Sequence, residues 1–123
     1  MKILVTDDSP TSRAIISRLV GDVYDIRTAS NGAMALEAVA AGGIDLLLLD
    51  LLMPGMDGIS VLAALRARGS PVPVVVVTAD IQESTRSRVL ALGARGIVNK
   101  PLTRDKLVAA VTSALAAPPA EDQ

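Results

Sequence analysis

Residues 46–58 read LLLLDLLMPGMDG. A strand covered on both faces need not alternate apolar with polar, so LLLL reads as a buried strand of a parallel sheet. It ends in Asp50, and Pro54 and Gly55 then mark a turn. A second uninterrupted run, VVVV at 74–77, ends in Thr78. Outward from these two runs, β-branched-rich segments alternate with amphipathic ones. Strands are expected over Lys2–Thr6, Tyr24–Ala29, Ile44–Asp50, Val72–Thr78 and Gly96–Asn99, with helices in the gaps. Five β-then-α units imply a parallel sheet with helices on both faces. The fold class is therefore α/β, a doubly wound three-layer sandwich of flavodoxin-like type. Its expected strand order is 2-1-3-4-5.

Local signals agree. Ile15, Ile16, Leu19 and Val20 form one helical stripe, and Leu107, Val108, Val111 and Leu115 another. Ser9 can cap a helix that has Pro10 at its first position. Asp80-Ile81-Gln82-Glu83 has capping-box spacing, and Thr103 can cap the last helix. Gly42-Gly43, Gly69 and Gly93 stand near helix ends, where glycine takes the left-handed conformation cheaply. NGAMALEAV and GISVLAALR look alike, but nothing else recurs at that spacing, so they read as two similar helix starts. Residues 1–117 are expected to form one domain, and 118–123 a flexible polar tail.

Composition narrows the chemistry. The 123 residues are 50% hydrophobic, enough for a sizeable core. There is no Phe or Trp and a single Tyr, so stacking platforms for single-stranded nucleic acid are missing. The formal net charge of −1 gives no broad attraction to DNA or to an anionic membrane. No apolar run approaches a membrane span, and no signal peptide is visible. Cysteine and histidine are both absent. That removes disulfides, thiolate and Ser-His-Asp catalysis, and zinc sites, and it fits a cytoplasmic protein. Any metal must take oxygen ligands, which points to magnesium, calcium or manganese.

In a doubly wound sheet, chemistry gathers beyond the carboxyl ends of the strands. The first strand ends in Asp7-Asp8, the third in Asp50, the fourth in Thr78 and the fifth in Asn99-Lys100. Strand order 2-1-3-4-5 makes the first and third strands neighbours, so Asp7, Asp8 and Asp50 converge. Neither Asp7 nor Asp8 has an obvious basic neighbour in sequence. Two charges at about 4 Å cost on the order of 4 kcal/mol at an effective dielectric near 20. Lys100 offsets only part of that, and a hard divalent cation, Mg2+ being the abundant one, offsets the rest. Asp8→Ala alone is then expected to stabilise the metal-free protein. A carboxylate beside such a cation suits phosphoryl transfer: Asp50 as nucleophile, Lys100 as counter-charge, Thr78 as hydroxyl donor. The small Ala79 leaves room for a donor.

The pieces VTDDS at 5–9, LLLLDLLMPGMDG at 46–58, VVVVTA at 74–79 and GARGIVNKP at 93–101 together resemble the receiver domain of bacterial two-component response regulators, the CheY-like proteins. The resemblance covers all but the tail. It implies that Asp50 is the phospho-acceptor and that Asp7 and Asp8 are the acidic magnesium pair. Asp8 and Asp50 would be direct ligands, Asp7 would act through water, and the Leu52 backbone carbonyl would be the remaining protein ligand. Thr78 resembles the switch hydroxyl and Lys100 the phosphoryl-pairing lysine, whose bond to Pro101 is commonly cis in the family. The donor would be a histidine kinase or a histidine phosphotransfer protein. A downstream protein would bind the face made by helix 4, strand 5 and helix 5. The family often has Tyr or Phe three residues before the lysine, where this chain has Ile97, so an inward-moving ring is no part of this switch. Leu52 and Asp80 match the pair that tunes dephosphorylation.

Singly, each motif has a plainer reading. Asp7-Asp8 and Asp50 can be strand ends, Thr78 a cap, Ile97 a core residue, and Lys100 a surface ammonium. Arg86, Arg88, Arg95, Arg104 and Lys106 read by default as a solvated basic face. A flavin or nucleotide module would want backbone amides facing phosphate in the first loop, where this chain has two aspartates. An aspartyl phosphatase would carry an acid where Leu52 stands. A receiver that binds without phosphorylation usually has a degraded acid site. The expectation is a stand-alone, monomeric receiver acting in chemotaxis, motility or a phosphorelay. The alternatives are a fragment of a longer regulator or a Mg2+-dependent phosphatase.

Overall fold

The computed structural model describes residues 1–53, 55–79 and 82–116. Five strands, β1 (Lys2–Thr6), β2 (Asp25–Ala29), β3 (Leu46–Asp50), β4 (Val74–Thr78) and β5 (Gly96–Asn99), form one parallel sheet in the order β2-β1-β3-β4-β5. Helices α1 (Pro10–Val20), α2 (Gly32–Ala41), α3 (Gly58–Ala67), α4 (Glu83–Ala91) and α5 (Arg104–Ala116) join them. Every residue of β3 and β4 is buried, as their unalternating sequences require. The sheet divides the core in two. Leu47, Leu49, Val74 and Val76 face α2, α3 and Val89 of α4. Leu46, Leu48, Val75 and Val77 face Ile16 and Val20 of α1 and Leu107, Val111 and Ala114 of α5.

Three strands start later than their apolar runs. The Tyr24 amide donates to the Val20 carbonyl and so still belongs to the turn that closes α1. Pro73 has no N–H to give the ladder, so β4 opens at Val74. Beside the start of β3, the Lys2 amide donates to the Asp45 side chain at 2.7 Å rather than to a strand carbonyl. The helical stripes are also narrower than expected. Ile15 is 42% exposed and Leu115 38%, while Ala114 is fully buried. At 100° per residue, 107, 111 and 114 define the inward line of α5, and 115 falls off it.

The caps sort cleanly. The Ser9 hydroxyl accepts from the Ser12 amide, with Pro10 opening α1, and the Thr103 hydroxyl accepts from the Lys106 amide. Asn31 and Asp57 cap the look-alike starts of α2 and α3, accepting from the Met34 and Ser60 amides. Gly42, Gly43, Gly69 and Gly93 all have positive φ at helix ends. The capping-box reading at 80–83 does not hold. Glu83 is the first helical residue rather than the third, and Gln82 is the cap residue, with no side-chain cap bond. Asp80 lies outside the described residues.

Candidate functional site

Register builds the site. Thr6 pairs with Leu49, Asp50 with Val77, and Thr78 with Asn99. The carboxyl ends of β1, β3, β4 and β5 therefore finish within about one residue of each other, at the point where chain order reverses between β1 and β3. Asp7, Asp8 and Asp50 each offer a carboxylate oxygen, all within 4.8 Å of one another. Asp7 and Asp50 are buried and Asp8 is exposed.

Asp7 is held from three sides. Its amide donates to the Ala29 carbonyl, its Oδ1 accepts from the Ser9 amide at 2.9 Å, and its own carbonyl accepts from Arg13 at 2.7 Å. Its Oδ2 is buried without a hydrogen bond. Lys100 Nζ stands 3.8 Å from that oxygen and 3.9 Å from Asp50 Oδ2. One ammonium thus faces two buried carboxylates. Asp50 Oδ1 accepts a long bond, 3.3 Å, from the Leu52 amide. The Asp50 carboxyl is pushed above its ordinary pKa, first by burial and then by the Asp7 charge. Lys100 and the Leu52 amide pull the other way, and the Asp8 charge adds slightly to the rise.

These residues fit a hard cation. Three carboxylates share one mouth, one of their oxygens is orphaned and buried, and a single lysine cannot neutralise the set. Thr78 is buried at the same edge, and its carbonyl accepts from the Lys100 amide at 2.9 Å. The Lys100–Pro101 peptide is cis. Behind Thr78, a cavity of about 50 Å³ is lined by Val76, Val89, Ile97, Thr85 and Arg86 among others. The Leu52 side chain is 70% exposed.

The response regulator receiver domain family matches residues 3–112. The chain belongs to that family. Receiver domains accept a phosphoryl group on an aspartate from histidine kinases, generally bind Mg2+ in an acidic pocket, and act on downstream targets. The sensor histidine kinase RcsC of Salmonella typhi is 37% identical over 108 residues, 87% of this chain and 11% of that protein. The sensor protein EvgS of Escherichia coli is 38% identical over 110 residues, 87% of this chain and 9% of that protein. The transcriptional regulatory protein YkoG of Bacillus subtilis is 34% identical over 113 residues, 92% of this chain and 50% of its own. This receiver domain therefore spans half or less of the length of these curated relatives. Among solved structures, the Vibrio cholerae chemotaxis protein CheY4 superposes with a TM-score of 0.86 at 27% identity, covering 93% of this chain and 98% of that one. The receiver domain of the Francisella response regulator 1452 gives 0.83 at 27% identity, covering 91% and 94%.

Sequence reasoning brought Asp7, Asp8, Asp50, Thr78 and Lys100 to one edge, and the structure does the same. It missed two cations. Arg13 reaches back from the first turn of α1 to the Asp7 carbonyl, and Lys106 from the first turn of α5 to the loop of Lys100. Helical side chains lean toward their N-terminus, which was the available signal. Of the expected solvated basic face, Arg86, Arg88, Arg104 and Lys106 are exposed and Arg95 is half-buried. Arg95 donates to the Ala114 carbonyl, Arg104 to the Leu19 carbonyl and Asp22, and Lys106 to Asn99 and Pro101.

Proposed function

We propose that the chain is a phosphorylation-dependent signalling switch with Asp50 as its phospho-acceptor. The observation that carries this is the single Lys100 ammonium facing both Asp7 and Asp50 at the switch point of the sheet. In this reading an Asp50 oxygen attacks phosphorus, the P–N bond to the donor's histidine breaks, and the imidazole leaves with the electron pair. Lys100 balances charge on the transferred oxygens, and the Thr78 hydroxyl binds one of them. Asp8, Asp50 and the Leu52 carbonyl would hold Mg2+, with Asp7 acting through water; when bound, the ion supplies charge neutralisation. Catalysis is limited to the chain's own phosphorylation and hydrolysis. Leu52, which offers no acid, weighs against a multiple-turnover phosphatase.

Residues 1–117 would be the receiver and 118–123 a tail. The donor would be a histidine kinase or phosphotransfer protein. The target would dock on α4, β5 and α5, with Ile97 in place of an aromatic relay. The likeness to the chemotaxis protein CheY4 favours a regulator of the chemotaxis or relay type. The small share of the curated relatives that the chain spans favours a second reading, a receiver segment of a longer regulator. The decisive measurement for Asp50 is intact mass after acetyl phosphate with Mg2+. Wild type is expected to gain one phosphoryl group and Asp50→Asn none; equal adducts on both would sink the assignment.

A further inference from the structure

We propose that Lys106 is a positioning residue for Lys100, a clamp on the loop that aims the ammonium at Asp7 and Asp50. Its Nζ donates to the Asn99 carbonyl at 3.3 Å and to the Pro101 carbonyl at 3.0 Å. Those are the residues immediately before and after Lys100, so a single cation brackets it. The bracket meets a local need. β5 is an edge strand, so the sheet supplies hydrogen-bond partners on one side only. Pro101 contributes no N–H, which leaves this stretch short of donors. Across the sheet, the Lys100 amide is held by the Thr78 carbonyl at 2.9 Å. Lys106 holds the same stretch from the helix side.

Lys106 is itself well placed. The Thr103 hydroxyl accepts from its amide at 3.2 Å, which fixes it in the first turn of α5. From there its side chain leans back toward the loop. Among the described residues no carboxylate pairs with Lys106, so its charge is spent on the two carbonyls. The consequence is specific. Lys100 Nζ sits near 4 Å from two carboxylates, a distance at which small displacements alter the Coulomb term and the reach to a transferred oxygen. Losing the clamp frees Lys100 without touching Asp8, Asp50 or the Leu52 carbonyl. The acid cluster keeps its affinity for a cation while the lysine-dependent part of phosphorylation is lost.

The kinetic test rests on Asp50 being the acceptor, and a second readout does not. In the full chain at saturating Mg2+, Lys106→Met is expected to slow phosphorylation by acetyl phosphate about five- to tenfold, with Mg2+ affinity within about twofold of wild type. Lys106→Arg, which keeps the donors, is expected to restore the rate. In a Lys100→Met background, Lys106→Met is expected to have no further effect, because a clamp matters only through what it holds. Equal slowing in both backgrounds, or no slowing in the wild-type background, overturns the proposal. Hydrogen exchange in the unphosphorylated, metal-free protein tests the clamp alone: the Lys100 amide is expected to exchange faster in Lys106→Met. An unchanged rate there overturns it even if the acceptor were another residue. Failure of Asp50→Asn to abolish the adduct would fault the acceptor and leave the exchange result standing.

Discussion

Asp50 is 6% exposed and has the Asp7 charge beside it. Its proton is therefore bound more tightly in the folded state than in the unfolded chain. The sign follows from linkage. Above the raised folded pKa, the charged Asp50 opposes folding in full; as pH falls through that value toward the ordinary carboxylate range, the folded state takes up the proton and the opposition is relieved. Asp50→Asn removes the charge and keeps the shape. At pH 7 without metal, the variant is expected to melt a few degrees above wild type, the size of about 1 kcal/mol in a domain of this length. The difference is expected to shrink toward pH 4, and thermal denaturation across that range checks it. Asp8→Ala is expected to act in the same direction but more weakly, because Asp8 is exposed and its charge contributes least to the Asp50 shift.

At the scale of elements, β3 and α3 meet closely at Gly58. A Cβ there would lie 2.5 Å from the Asp50 carbonyl oxygen and 2.7 Å from the Leu51 Cα, and neither atom is the end of a flexible side chain. The Gly58 amide also donates to the Leu51 carbonyl at 3.1 Å. Gly58→Ala must push α3 off the end of β3. It is expected to cost about 1–3 kcal/mol, read as a lower urea midpoint with unchanged slope. The sequence marked MPGMDG as a turn but could not reveal this contact, because close approach of two backbones is a tertiary fact. The same division holds elsewhere. Unalternating LLLL and VVVV were legible because burial on both faces leaves a sequence pattern. The late starts of β2 and β4 were not, since Tyr24 is claimed by a helix turn and Pro73 by its missing N–H. Ile15 and Leu115 misled because both stripes were one residue too wide.

At the scale of the molecule, strand order brings together acids that lie 42 or more residues apart in the chain, and this follows from sheet topology more than from any local motif. Asp7, Asp8 and Asp50 were legible because each ends a recognisable strand. Arg13 and Lys106 were not, since the N-terminal lean of a helical side chain gives its direction but not the carbonyl it reaches. Among its described residues the folded protein holds three carboxylates in one mouth against one ammonium, and the unfolded chain does not. A cation that binds the folded state alone must stabilise it by mass action. At about ten times its dissociation constant, Mg2+ would add about 1.4 kcal/mol, a rise in Tm of several degrees. Mg2+ and protons compete for the same Asp50 oxygens, so the rise is expected to shrink as pH falls through the raised Asp50 pKa. Asp50→Asn, already stabilised without metal, is expected to gain less from it. Melting wild type, Asp8→Ala and Asp50→Asn with and without Mg2+ at pH 7 and pH 4.5 tests the whole cluster. A Mg2+ shift of the same size in all three, or none in wild type, would contradict a cation site built from these acids.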